Sequence, residues 1–179
     1  MVFWNPSTVK VDLLASSAQA LHLSVTCLIF HISFMATFVY GFNTISARRS
    51  LWEDLRRWNS SCPWMVLGDL NSMLSSADKH NGEVVSSYEI SNFRDSCFDL
   101  GLHDVNFTGC HFCWTNGSVW SKLDRVLINP SWSSLQRLTH VHFGSLGAFT
   151  DHSPAVVRLD PYVQGRRNFK FFNMWATHD

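Results

Sequence analysis

The stretch Pro63-Trp64-Met65-Val66-Leu67-Gly68-Asp69-Leu70-Asn71 constrains this chain more than any other. The unbroken apolar run Trp64 to Leu67 predicts an interior strand shielded on both faces, because only a half-buried strand has reason to alternate. Gly68 allows a close backbone approach at the strand end. Asp69 and Asn71, two positions apart, face one side while Leu70 points back to the core. A carboxylate beside a carboxamide at such a tip suits a hard cation, a phosphate, or a water aimed at phosphorus. A turn-initiating Asp-x-Asn is the plainer alternative.

The 179 residues suffice for one ordinary domain. Hydrophobic content of 46% and aromatic content of 14% belong to a packed core and exclude a disordered chain. Lysine and arginine number 14, aspartate and glutamate 14, so any nucleic-acid binding must rest on local clusters. Arg48-Arg49, Arg56-Arg57 and Arg166-Arg167 with Lys170 are the candidates, and each reads equally as a solvated face.

The 5 cysteines form no regular framework, as in a reducing compartment. Cys110-His-Phe-Cys113 has the spacing of half a zinc site or a redox motif, without a second half. Asn-x-Ser/Thr matches at Asn59, Asn106 and Asn116 read as chance without a secretory signal. No targeting peptide is recognisable. Leu13 to Ala47 carries no charge, and Val25 to Phe42 is strongly apolar, but His22, His31 and β-branched residues favour strands with a poor hairpin turn over a membrane helix.

Strands are predicted at Val9–Leu14, Leu21–Thr26, Phe34–Tyr40 and Trp64–Leu67. Ser46 is expected to cap a helix from Ala47 to Trp58, and residues 72 to 85 read as a loop. Ser86 or Ser87 caps a second helix that Gly101 stops after Leu100, with Ile90, Phe93 and Cys97 inward. Further strands are expected at Leu102–Asn106, Phe112–Thr115, Lys122–Ile128, Thr139–Phe143 and Ala155–Leu159. Asn116-Gly117 supplies a tight turn and Pro130–Leu135 a short helix. Strands outnumber helices and come partly in hairpins, which predicts a mixed sheet pair with outer helices.

Two further acidic spots fall at strand ends: Asp124, before Val126 to Ile128, and Asp151-His152, before Ala155 to Leu159. Alone, Asp124 reads as an ion-pair partner of Arg125 or Lys122, and Asp151-His152 as a turn.

As an ordered set, Tyr40-Gly-Phe-Asn43, Gly68-Asp-Leu-Asn71, Phe112-Cys-Trp-Thr115, Ser121-Lys-Leu-Asp-Arg125 and Thr150-Asp-His-Ser-Pro154 resemble the endonuclease/exonuclease/phosphatase superfamily, which includes DNase I. Trp52 and Trp58, Asp78-Lys-His-Asn-Gly82 and Phe169-Lys-Phe-Phe-Asn-Met-Trp175 resemble the endonuclease region of plant non-LTR (LINE-type) retroelements.

The resemblance implies an α/β (α+β) fold, a four-layer sandwich of two mixed β-sheets with outer helices. It implies phosphodiester hydrolysis of DNA with Mg²⁺ or Mn²⁺, and neither a small-molecule cofactor nor a membrane. His152 would be the general base or the proton donor to a phosphate oxygen, with Asp124 holding its tautomer. Asp69 and Asn71 would orient and polarise water, Asp151 would hold the metal, and Tyr40 with Asn43 would contact phosphate.

Relatives carry an Asn and a metal-binding Glu on segments upstream of anything matched here. The expectation is therefore a partial domain over 1–160 with weakened metal binding and weak turnover. Residues 161–179 would be a linker toward a reverse transcriptase of the parent element, and a nuclear location would go with it. A non-catalytic remnant is the alternative. Leu70 stands where Phe is common, Thr150 where Ser is, and Cys113 where a phosphate-contacting Thr is usual. The turn near Ile29 to Ser33 is apolar where relatives carry Gly and Lys.

Overall fold

The structure, a computed structural model, describes residues 1–147 and 150–161. From the N-terminus come β1 (Val9–Ser16), β2 (Ala20–Cys27), β3 (Ile32–Tyr40), α1 (Arg49–Trp58) and β4 (Trp64–Asp69). A 3₁₀ turn at Ser76–Asp78 leads to β5 (Lys79–His80), α2 (Ser87–Leu100), β6 (His103–Asp104) and β7 (Phe107–Gly109). Then follow β8 (Trp114–Thr115), β9 (Trp120–Ser121), β10 (Asp124–Ile128), a second 3₁₀ turn at Pro130–Leu135, β11 (Arg137–Phe143) and β12 (Ala155–Pro161). Beyond Pro161 the expected linker lies outside the described residues.

The large sheet has the order β1-β2-β3-β4-β10-β6, with β3 and β4 parallel and the other neighbours antiparallel. A three-stranded sheet, β12-β11-β7, packs against it, and β5-β9-β8 forms a third sheet. The expected α+β architecture with mixed sheets and outer helices is what the chain adopts. β4 is central, as its unbroken apolar run requires. Trp64 and Val66 join Leu51, Trp52, Leu55, Phe93 and Leu127 in a core against α1 and α2. Met65 faces the other way, with Val126, Trp132, Val141 and Phe143 between the sheets. Each such fully buried side chain stabilises the fold by about 1.5–3 kcal/mol.

Trp64 is also polar-satisfied: its indole donates to Thr37 Oγ1 at 2.8 Å, and its backbone N–H donates to Asn129 Oδ1 at 3.0 Å. The uncharged Leu13–Ala47 region forms most of the β1–β2–β3 meander, and among the described residues no helix is long and apolar enough to cross a membrane.

Helix α2 begins as expected. Ser86 and Glu89 form a reciprocal capping box, and Gly101 ends the helix in the left-handed conformation at φ 63°. Helix α1 does not. Ser46 makes no cap; the chain turns through residues 44–48 first, with Arg48 N–H on Thr44 O, and Arg48 stands before the helix without a capping side chain.

The loop expected over 72 to 85 contains the first 3₁₀ turn and β5. The strands expected at Leu102–Asn106 and Phe112–Thr115 shrink to two-residue β6 and β8, and the one expected at Lys122–Ile128 begins only at Asp124 as β10, with an irregular Lys122-Leu123 between it and β9. Strand β7, parallel to β11, was not expected. These short strands have too few residues for a period, so only their partners define them.

Gly68 does permit a close approach, that of the neighbouring strand. At φ 124° a Cβ there would stand 2.2 Å from Val39 O. Gly68→Ala is therefore expected to destabilise the fold by about 2–3 kcal/mol, measured by urea unfolding, since the β3–β4 pairing would have to part.

Candidate active site

Strand register builds the site. Tyr40 of β3 pairs with Asp69 of β4, and Asp69 pairs with Asp124 of β10, so the three stand in a row across the sheet at one end. Residues facing each other on paired strands project to the same face.

The fourth element arrives from outside that sheet. Trp114 of β8 bridges His152, Thr115 N–H donates to Asp151 O, and Ser153 N–H donates to Cys113 O at 2.7 Å. These bonds set His152 over the row. Its Nδ1 lies 2.8 Å from Asp124 Oδ2, and its Nε2 lies 3.9 Å from Asp69 Oδ2.

Asp69 is almost fully buried at 7% exposure, and both of its oxygens are engaged. Asn71 N–H donates to Oδ1 at 2.8 Å, and Asn71 Nδ2 donates to Oδ2 at 3.1 Å. The same amide reaches Gly41 O and Asn43 Oδ1, which locks Asn71 in a left-handed turn at φ 48°. The Asx turn and the polar tip are thus one arrangement.

The sequence-derived set therefore converges: Asp69, Asn71 and Asn43 form one hydrogen-bonded group and Asp124 with His152 another, and the two meet where His152 Nε2 approaches Asp69. Tyr40 adjoins it in register with its side chain 71% exposed. Asp151 lies at the margin. Its Oδ2 accepts from Trp114 Nε1 at 3.0 Å. Among the described residues, no three His, Cys, Asp or Glu side chains group as a metal-binding set.

Burial raises the Asp69 carboxyl above the ordinary carboxylate value, and Asp124 adds to the rise; the bond from Asn71 and the charges of His152 and Arg48 oppose it without cancelling it. Burial depresses the His152 imidazole, yet the hydrogen bond and charge of Asp124, with Asp69 and Asp151, outweigh it and leave the pKa raised.

A carboxyl that the fold prefers protonated costs stability whenever it is ionised. Asp69→Asn is thus expected to raise Tm at pH 7 but not at pH 3, read by thermal unfolding at both values.

Taken alone Asp124 reads as a partner of Arg125 or Lys122, whereas the motif resemblance gives it to His152; both cations turn inward to Asp78 and Asp104, leaving Asp124 free for the histidine. Two positioning residues escaped sequence reading. Cys113 braces the strand end that carries Asp124. Its buried sulfur accepts the N–H groups of Leu123 at 3.1 Å and Asp124 at 2.9 Å, and burial pushes its thiol up to about 12. Gln19, also buried, accepts from Phe42 N–H and donates to Ala47 O, while its own carbonyl accepts from Tyr40 N–H. That bracing fixes the Tyr40–Asn43 segment. A lone glutamine inside a long uncharged stretch was the available signal.

No protein-family model and no curated protein sequence matches the chain. Solved structures do. The endonuclease domain of TRAS1, a telomere-specific non-LTR retrotransposon, superposes with a TM-score of 0.61 at 11% identity, over 87% of this chain and 69% of that one. A functionally unknown conserved protein from Enterococcus faecalis V583 gives 0.57 at 12% identity, over 88% and 69%. An endonuclease/exonuclease/phosphatase family protein from Bacteroides thetaiotaomicron gives 0.52 at 12% identity, over 87% and 67%. Identities this low speak for the fold alone.

Proposed function

On the DNase I-like fold that the chain shares with those structures, we propose that this protein is a metal-dependent phosphodiester hydrolase acting on DNA, the endonuclease region of a plant LINE-type retroelement. One observation carries the reading: His152 is gripped by Asp124 at 2.8 Å while its other nitrogen faces the buried Asp69.

Asp69 and His152 are both raised by their surroundings, and groups so perturbed in one cluster support a division of labour in proton transfer. Asp124 accepts from Nδ1–H and fixes the tautomer, so that Nε2 carries the proton exchanged with a phosphate oxygen. Asp69, raised by burial, orients a water and accepts its proton. Asn71 holds Asp69 in place, and Asn43 and Tyr40 supply polar contacts to the phosphate.

Mg²⁺ or Mn²⁺ is ordinarily held by one or two carboxylates together with substrate phosphate and water. Asp151, exposed and with only Oδ2 bonded to Trp114, has the donor chemistry for that role. The bound ion would offset charge developing on the phosphate oxygens. With no glutamate among the clustered residues, ion binding and turnover are expected to be weak. The nuclear location and the reverse transcriptase partner belong to the same retroelement reading.

A non-catalytic remnant with weak nucleic-acid binding is the second reading, favoured by the lack of a three-ligand group among the described residues. Incubating the purified chain with supercoiled plasmid decides between them. Mg²⁺-dependent conversion to the nicked circle, blocked by EDTA, supports the hydrolase. Plasmid retardation without nicking at any Mg²⁺ or Mn²⁺ concentration supports the remnant.

A further inference from the structure

Beside the His152 cluster lies a hollow of about 350 Å³, lined by Asn43 and Asn71 of that cluster and, among others, by Arg48, Ser72, Met73 and Glu89. Arg48 is the group there that the fold does not account for. Sequence reading left it either in a basic cluster for nucleic acid or on a solvated face, and it is only 5% exposed. One bond, from Nη1 to Phe42 O at 2.7 Å, occupies one of its five N–H donors.

Nε and Nη2 have no protein acceptor among the described residues, yet neither is sealed off as a buried unpaired atom. A neutral donor would suffice for the Phe42 carbonyl. Burying a full charge for that purpose alone is costly, because an unpaired ion loses its hydration. Asp69 offers long-range compensation only, with both its oxygens already taken by Asn71. The spare fork of a guanidinium beside a solvent-filled hollow is suited to a phosphate.

Glu89 sets the sign of the ligand more narrowly. Its carboxylate is held by the N–H and hydroxyl of Ser86 and stays ionised. One fixed cation and one fixed anion tolerate a singly charged phosphodiester better than a doubly charged terminal phosphate.

We propose that this hollow is a second phosphate subsite. It receives the phosphodiester adjacent to the one engaged at His152 on the same strand, and so makes the protein prefer an internal stretch of at least two phosphodiesters. The inference rests on the phosphodiesterase reading, because Asn43 and Asn71 belong both to the hollow and to the His152 cluster.

The probes are TpT, with one phosphodiester, and TpTpT, with two, bound to the full chain in EDTA. TpTpT should bind about tenfold more tightly, the scale of one charge-assisted fork on phosphate. The ratio should fall to near one in Arg48→Gln, with Arg48→Lys between. Because a variant at a buried position can unfold, the wild-type protein supplies an independent reading. The Arg48 Nε–Hε NMR signal should move with TpTpT and stay put with TpT.

Equal affinities in the wild type, an unmoved Arg48 signal, or a ratio retained in folded Arg48→Gln would each overturn the subsite. If TpT binding is weakened by His152→Ala while the wild-type ratio is one, the subsite alone fails. If neither probe binds and plasmid is not nicked, the underlying function fails with it.

Discussion

His152→Ala lowers the rate of plasmid nicking by about 10²–10⁴-fold, the range for removing a positioned proton-transfer group. The loss should appear under single-turnover conditions, with plasmid binding changed far less, because the imidazole does little to hold the ground state. Asp124→Asn should follow part of the way. An asparagine there can accept from Nδ1–H, but it can equally present its amide and turn the ring to the wrong tautomer. Nicking that persists at the wild-type rate in His152→Ala would assign the activity to another site or a contaminant.

The largest expected effect on stability lies one residue from Asp124, on the opposite face of β10. Arg125 is buried with Asp78 and Asp104 as its carboxylate partners, and Lys122 Nζ reaches Asp104 at 2.8 Å. Asp78 also accepts the N–H groups of Leu74 and Ser75, so this network ties the loop after β4 to β10. Arg125→Leu would leave Asp78 buried with no cation, a change that costs about 3–5 kcal/mol. Urea unfolding at neutral pH measures it. A loss below about 1 kcal/mol would mean that water or backbone donors replace the guanidinium. Asp78→Asn in the same chain should recover part of the loss, because the stranded charge is then gone.

The elements that sequence showed plainly were those with a period or an end signal. The Trp64–Leu67 run gave β4, Ser86 with Glu89 and Gly101 framed α2, and polar residues at the ends of apolar runs, after one for Asp69 and before one for Asp124 and His152, marked the site. Convergence of that last set was expected from an ordered motif resemblance, and the row Tyr40–Asp69–Asp124 now gives it a physical cause in strand register.

What was not legible depended on partners distant in the chain. Arg48 was left between a basic cluster for nucleic acid and a solvated face, and Arg125 was read only as a partner of Asp124, because a sequence does not reveal which side of a strand or turn receives a counter-charge. Cys113 suggested metal or redox chemistry because two cysteines in register look like a motif; its real work is to accept two backbone N–H groups under Asp124. The expected Ser46 cap failed because Thr44 and Arg48 organise that turn first.

The claim on which the rest stands is that Asp124 and Asp69 together hold a His152 proton. Titrating the imidazole by ¹⁵N NMR tests it most directly, in the wild type and in Asp124→Asn. The wild-type pKa should lie above the ordinary 6.5 and fall in the variant, since its largest raising influence is gone. The linkage has a fixed sign: a raised histidine stabilises the fold below its unfolded pKa and loses that contribution as pH rises through the folded value. The variant's stability deficit should accordingly be greatest in mildly acidic solution and shrink toward alkaline pH. A wild-type pKa at or below 6.5, unmoved by Asp124→Asn, would contradict the account.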